Sequence, residues 1–248
     1  MKRLGLLDWG IGGIGVYRLV KELLPSVSVT YLSDTGVTPY GKMTRDELVA
    51  RLNEAIAFLV SRGVTHLVIG CNAASTAIPF LDTSEIVVEG MIESAIESTS
   101  QLKPQRLGLI GGRRTVVSGV YRRGFGKMGI DIEQRIAQPL SALIESGDLT
   151  SDHLKNECLR ILSPLKNCSH ILLACTHYPA ISDVMRQFVT SSTKLIDPAR
   201  DLIGRITNWD IPTGGTDVFL TTGDTLQMEK AAFGAFGVKI AKVESISI

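Results

Sequence analysis

The sequence has no C-x-x-C pair: its four cysteines stand apart at 71, 158, 168 and 175. A chain of 248 residues does not need disulfide staples, so a disulfide scaffold is not expected, and a reducing cytoplasm suits four separate thiols. Charge of either sign is not in excess. With 26 Lys and Arg against 25 Asp and Glu, the electrostatic footprint of a nucleic-acid or anionic-membrane binder is missing. No apolar run reaches the roughly 18 residues of a membrane span, and the run behind Lys2-Arg3 stops at Asp8, short of a signal-peptide core. The remaining class is a globular chain, 44% hydrophobic, with material for one large core or two smaller ones. A small molecule is its expected partner.

Apolar runs of strand length alternate with segments of helical period. RLGLLD (3–8), VSVTYLSD (27–34), HLVIGC (66–71), RLGLI (106–110) and HILLAC (170–175) have strand character. VYRLVKELL (16–24), RDELVARLNEAIAFLVSRG (45–63) and HLKNECLRILSPL (153–165) have helical spacing. The alternation predicts βα units around parallel sheets. The order also repeats. Arg3-Leu4-Gly5-Leu6 returns as Arg106-Leu107-Gly108-Leu109, Gly15-Val16-Tyr17-Arg18 as Gly119-Val120-Tyr121-Arg122, and HLVIGC as HILLAC, at offsets of 103, 104 and 104. Two similar α/β halves are therefore expected.

Each half then carries a cysteine, Cys71 or Cys175, at the carboxyl end of a strand, where open parallel sheets bind ligands. Facing halves would set the two thiols on opposite walls of one cleft. A thiol can lose and regain a proton near neutral pH when a cation or helix N-terminus lowers its pKa. A carbon acid held between two such groups would lose a proton to one face and gain it from the other, inverting its configuration. The turns after Cys71 and Cys175 have amides that could hold a carboxylate, and His177 could orient or protonate Cys175. Two other readings stay open: inert packed thiols, and a metal site, for which Cys175-x-His177 alone supplies too few ligands. Cys158 shares a helical face with Leu154, Ile161 and Leu165 and is expected in the core. Cys168, in a polar turn, is expected to be incidental. His66 and His170 start matching strands and are expected to be structural, and His153 carries no signal.

A rival pattern lies at the N-terminus. Gly10-Ile11-Gly12-Gly13-Ile14-Gly15 fits the dinucleotide fingerprint G-x-G-x-x-G between a strand and a helix, with Asp34 19 residues after its last glycine. Asp8 speaks against it, because its carboxylate would sit beside an anionic pyrophosphate. The same Asp8 would suit a substrate ammonium group or accept a proton from a nearby thiol.

These segments resemble the glutamate racemases, within the aspartate/glutamate racemase family. DWGIGGIGV (8–16), SDTGVTPYG (33–41), GCNAAS (70–75) and ACTHYP (174–179) are similar to that family's motifs in order, as are IGGRRTVVSGVY (110–121), QPLSALIESG (138–147), LIDPA (195–199) and TTGD (221–224). The resemblance implies two similar α/β domains with mainly parallel sheets, related by a pseudo-twofold axis, with the active site between them. The first domain would comprise 1–93 plus 205–248, the C-terminal portion returning to complete it, and the second 94–204. It further implies a cofactor-independent, metal-free amino-acid racemase, interconverting L- and D-glutamate or a close acidic relative such as aspartate and supplying D-glutamate for peptidoglycan in the cytoplasm, with a homodimer as one assembly to expect. By similarity Cys71 takes the proton from the D-enantiomer, assisted by Asp8, and Cys175 from the L-enantiomer, assisted by His177 and Glu145. Trp9, Pro39, Tyr40, Gly41, Asn72, Ala73, Thr115 and Thr176 fall at substrate-contacting positions. The chain departs from the family pattern at Trp9 for serine, Ala73 for threonine, Gly112 for threonine and Gln138 for cysteine. At 73, a neighbouring hydroxyl of Ser75 or Thr76 is one expected replacement for the one lost. A racemase-like binding or regulatory protein and a nicotinamide-dinucleotide binder are the alternatives from other classes.

Overall fold

A computed structural model of the chain describes residues 3–211, 213–240 and 242–248; Lys2 of the N-terminal basic pair lies outside them. The strands are β1 (Arg3–Asp8), β2 (Val29–Ser33), β3 (Val64–Ile69), β4 (Val87–Gly90), β5 (Leu107–Gly111), β6 (Ile132–Ile136), β7 (His170–Ala174), β8 (Lys194–Ile196), β9 (Val218–Thr221) and β10 (Val243–Ser245). They form two sheets, β10-β9-β2-β1-β3-β4 and β6-β5-β7-β8. Every strand pairing within them is parallel, as the alternation of apolar runs and helical segments required.

The internal repeat has a topological counterpart. β2-β1-β3-β4 in one sheet and β6-β5-β7-β8 in the other are the same order, each sheet's first strand lying between its second and third. Even the repeated glycine has the same cause in both. Gly5 pairs with Leu67 and Gly108 with Ile171. A Cβ on Gly5 would lie 2.7 Å from Val64 Cγ1, and one on Gly108 3.1 Å from Cys168 Sγ. In each case a neighbouring side chain occupies the space a larger residue would need.

Helices cover the sheets and bury their apolar stripes. The helix Arg45–Ser61 starts at a capping box, in which the Thr44 hydroxyl accepts from the Glu47 amide and the Glu47 carboxylate accepts from the Thr44 amide. It buries Leu48, Leu52, Ala55, Ile56 and Leu59. The helix Asp152–Leu162 is capped by Ser151 and buries Leu154, Cys158 and Ile161, so Cys158 is a core residue. Cys168 is not incidental: it is buried beneath β5, against the position of Gly108. After β8 the chain runs through the helix Ala199–Ile206, which packs on Gly12–Leu23 and Met91–Gln101. It then adds β9 and β10 to the free edge of β2. Among the described residues no helix is long and apolar enough to cross a membrane.

Candidate active site

The carboxyl ends of β1, β3 and β7 converge on a cavity of about 320 Å³. β1 ends at Asp8, β3 leads into Cys71 and β7 into Cys175, and all three line the cavity. Trp9, Pro39, Tyr40, Gly41, Asn72 and Ala73 line it from one side and Thr115, Thr176 and His177 from the other. Of the sequence-derived site residues only Glu145 stands outside the wall, behind His177.

Cys71 is 8% exposed. Burial pushes its thiol well above the usual range, and the charge of the neighbouring Asp8 adds to the rise. Asp8 is itself buried, with the Trp9 amide donating to Oδ1 at 2.7 Å and the Thr176 hydroxyl to Oδ2 at 2.7 Å. Burial raises the Asp8 carboxyl, opposed by the charge of His177 and by the hydrogen bonds it accepts. Carboxyl and thiol thus hold a proton more readily together than either would in water.

On the opposite side, Cys175 Sγ lies 3.7 Å from His177 Nδ1, and His177 Nε2 lies 2.6 Å from Glu145 Oε2. Burial, the largest single influence on the imidazole, acts to lower its pKa. The hydrogen bonds to Cys175 and Glu145 and the charges of both outweigh it, leaving His177 well above its usual value. The ring is therefore an imidazolium at neutral pH, donating from both nitrogens. With both nitrogens committed, His177 has none left to ligate a metal, and among the described residues no group of three His, Cys, Asp or Glu side chains is arranged to hold one.

The glycine-rich turn has a steric explanation that a bound dinucleotide does not share. A Cβ on Gly10 would collide with the Glu145 carboxylate, and one on Gly12 would lie 2.5 Å from Thr176 Oγ1 and 2.7 Å from His177 Nδ1. The turn is bare because Glu145, Thr176 and His177, from the unit of the other sheet, press against it. Glu145 Oε2 also accepts from the Ile11 amide at 3.1 Å. Asp34 has no capacity left for a ribose hydroxyl: it accepts from Arg51 Nη2 at 2.6 Å and Nε at 2.8 Å, from Tyr40 at 2.7 Å and from Thr222 at 2.8 Å.

The remaining wall is mostly apolar with a few aimed donors, the usual pattern of a small-molecule site. Tyr121 donates to Asn72 Oδ1 at 2.6 Å, which orients the amide and leaves buried Nδ2 without a partner. A substrate carboxylate would satisfy that donor. Tyr40 spends its hydroxyl on Asp34 and offers only its ring. Trp9 likewise spends its indole N–H on the Val37 carbonyl at 3.1 Å. The hydroxyl lost at Ala73 is not replaced by a neighbour: Ser75 donates to the Cys71 carbonyl and Thr76 to the Ala73 carbonyl, and neither lines the cavity.

Lys42, Gly112, Gln138 and Ser141 also border the cavity, and sequence reading did not place them in the site. Two of them carried a signal as departures from the family pattern. Gln138 Oε1 accepts from the Arg113 amide at 3.0 Å, and a Cβ on Gly112 would lie only 3.1 Å from it. A larger residue at 112 would therefore have to displace the end of the Gln138 side chain by a few tenths of an ångström.

Comparison with known proteins agrees with this architecture. The family model Asp/Glu/Hydantoin racemase matches residues 4–204. The glutamate racemase of Desulforudis audaxviator is 33% identical over 202 residues, 79% of this chain and 74% of that protein. Its counterpart in Aquifex aeolicus is 31% identical over 202 residues, 80% and 79% of the two chains. Among solved structures, glutamate racemase from Aquifex pyrophilus superposes with a TM-score of 0.82 at 26% identity, over 98% of both chains. That from Francisella tularensis, in complex with D-glutamate, superposes with a TM-score of 0.90 at 23% identity, over 99% of this chain and 97% of the other. The chain belongs to the Asp/Glu/hydantoin racemase family, as an amino-acid racemase of the glutamate racemase kind.

Proposed function

We propose that the chain interconverts L- and D-glutamate by two-base proton transfer between Cys175 and Cys71. One observation carries the mechanism: two thiols line one cavity, and each stands beside its own proton-handling group. A neighbouring cation stabilises a thiolate, so Cys175, beside the His177 imidazolium, is the base for the L-enantiomer. Its thiolate takes the α-proton and becomes a thiol. The electron pair left on Cα delocalises into the α-carboxylate, for which Asn72 Nδ2 is an unpaired donor. Cys71 then delivers its thiol proton to the opposite face, leaving a thiolate beside Asp8 and releasing D-glutamate. The reverse reaction starts at Cys71, with Asp8 as the group through which it regains or loses its proton.

Support for glutamate comes from the relatives' shared name, and a role in supplying D-glutamate for peptidoglycan goes with it. A cytoplasmic setting fits a mechanism that needs Cys71 and Cys175 as free thiols, as they are in this structure. We further propose that the chain divides into 1–93 plus 205–248 and 94–204, supported by the sheet to which each strand belongs, and that a homodimer is the assembly to test. Chiral analysis after incubation with a panel of L-amino acids tests the substrate assignment. D-glutamate is expected as the main product, and Cys71→Ala and Cys175→Ala are each expected to lower turnover by several orders of magnitude. Near-parental turnover in either variant would refute the two-thiol reading, whereas preference for another amino acid would refute only the choice of substrate.

A further inference from the structure

One side chain next to the reacting groups has no part in the two-thiol mechanism. Tyr178 follows His177 and opens the turn Tyr178–Ile181, its amide donating to the Cys175 carbonyl at 3.2 Å. The side chain does not line the substrate cavity. It is completely buried, in the core that also holds Leu140 and Ile144. Its hydroxyl makes no hydrogen bond of good geometry among the described residues, although the Cys175 thiol and the Ser141 hydroxyl stand beside it. Burying a hydroxyl without a partner is unfavourable, and phenylalanine would fill the same space without that loss, so packing alone does not account for a tyrosine here. Burial, and after it the charge of Cys175, push the Tyr178 hydroxyl well above its usual range. It therefore keeps its proton wherever the thiol titrates, as a donor and not as a base. Ser141 spends its own proton on the Gln138 carbonyl at 3.1 Å and keeps oxygen lone pairs free to accept.

We infer that Tyr178 is a second hydrogen-bond donor to the Cys175 thiolate, reaching the sulfur from the core side of the site. A neutral thiol is a weak acceptor, whereas hydrogen bonds to an ionised acceptor are shorter and about twice as strong. The phenol thus turns to the sulfur when it is charged and to Ser141 when Cys175 holds the proton. No proton leaves Tyr178 in either state: the α-proton passes to the sulfur, and only the acceptor of the O–H changes. A donor that bonds the charged form favours it, so the hydroxyl enlarges the thiolate fraction that His177 alone would hold. This role rests on the reading of Cys175 as the base for the L-enantiomer.

Tyr178→Phe removes the hydroxyl and keeps the ring. Alkylation of Cys175 by iodoacetamide in the full chain without substrate, followed by peptide mapping over a range of pH, reads the thiolate fraction. In the variant the rate near neutral pH is expected to fall roughly tenfold, the worth of one hydrogen bond to a charged group, while the plateau at alkaline pH stays at the parental level. The acid limb of kcat/KM, which reports the essential base of the free enzyme, should move to higher pH by the same interval, and equally in both directions because the equilibrium ties them. The melting temperature should not drop, since the lost hydroxyl had no well-made bond in the fold. If Tyr178→Phe folds poorly, Ser141→Ala decides: with the competing acceptor gone, alkylation of Cys175 near neutral pH is expected to become faster. Alkylation and kcat/KM profiles that stay in place in Tyr178→Phe, or an unchanged alkylation profile in Ser141→Ala, would overturn the assignment and leave Tyr178 a core residue. Turnover retained in Cys175→Ala would instead refute the two-thiol reading beneath it.

Discussion

The Thr176 hydroxyl donates to the Asp8 carboxylate at 2.7 Å, joining residues 168 positions apart that stand at the strand ends of different sheets. In the proposed mechanism, the group that serves Cys71 is thus held by the residue after Cys175. The reciprocal tie runs from the Ile11 amide to Glu145, which orients the imidazole proposed to serve Cys175. Each half of the protein would position the acid/base partner of the other.

Removing one of these ties should affect one half-reaction first. Thr176→Val leaves buried Asp8 with one hydrogen bond fewer to its charged form, so its already raised pKa rises further. A hydrogen bond to a charged group is worth about 1.5–3 kcal/mol. The expected loss in kcat from D- to L-glutamate is therefore roughly ten- to a hundredfold, with Thr176→Ser close to the parent. Separate kcat values in the two directions, read by circular dichroism, check this. Equal losses for Val and Ser would contradict it.

A double-mutant cycle tests the coupling of Gly112 and Gln138. Gly112→Thr alone must push against Gln138 Oε1, an overpacking that costs typically about 1–3 kcal/mol. Combined with Gln138→Cys, the threonine has room and most of that cost is expected to disappear. Denaturant unfolding of the four proteins measures the interaction. Additive effects would mean that the two positions are not energetically coupled.

At Ala73 the missing hydroxyl is not replaced by Ser75 or Thr76, which bond to backbone carbonyls outside the cavity wall. Ala73→Thr is therefore expected to raise kcat/KM for glutamate by roughly tenfold or more, the worth of one hydrogen bond to a carboxylate. Trp9 is better left in place, since its indole both lines the cavity and donates to the Val37 carbonyl. An unchanged kcat/KM in Ala73→Thr would show that residue 73 does not meet the substrate carboxylate.

Stability should depend on pH through His177. Its folded pKa lies well above the unfolded value near 6.5. The contribution is therefore fully present below about pH 6.5 and is lost as pH rises through the folded pKa. The gap in melting temperature between the parent and His177→Gln should be widest near about pH 6 and shrink toward alkaline pH. Asp8 is coupled to the charge of His177, so the same comparison made in an Asp8→Asn background separates the imidazole from it. A gap that stays constant up to about pH 10 would mean that His177 is neutral in the fold.

The parts of the fold that were legible in sequence are those with a simple pattern. β1, β3, β5 and β7 lie inside their sheets between two neighbours, so their residues form continuous apolar runs. β6, IEQRI, and β10, VES, are edge strands of mixed polarity, and no periodicity marked them. The two cysteines were legible because the repeat doubled the signal. Asn72, Thr115 and Thr176 were legible only through family motifs, and the same holds for Glu145, whose contacts with His177 and Ile11 span 32 and 134 residues. The Thr176–Asp8 bond left no trace in sequence, because a hydroxyl and a carboxylate from separate sheets share no spacing. The dinucleotide-like glycines were a misleading signal: the pattern is real, but close approach of Glu145, Thr176 and His177 produces it.

The most direct test of the two-thiol mechanism is the fate of the α-hydrogen when L-glutamate is converted in deuterium oxide. With Cys175 removing the proton and Cys71 supplying another from the opposite face, early in the reaction D-glutamate should carry deuterium at Cα while recovered L-glutamate remains unlabelled. Mass spectrometry of the separated enantiomers at a few per cent conversion reads both pools. Deuterium entering L-glutamate as fast as D-glutamate forms would mean that a single base serves both faces, and would contradict the mechanism.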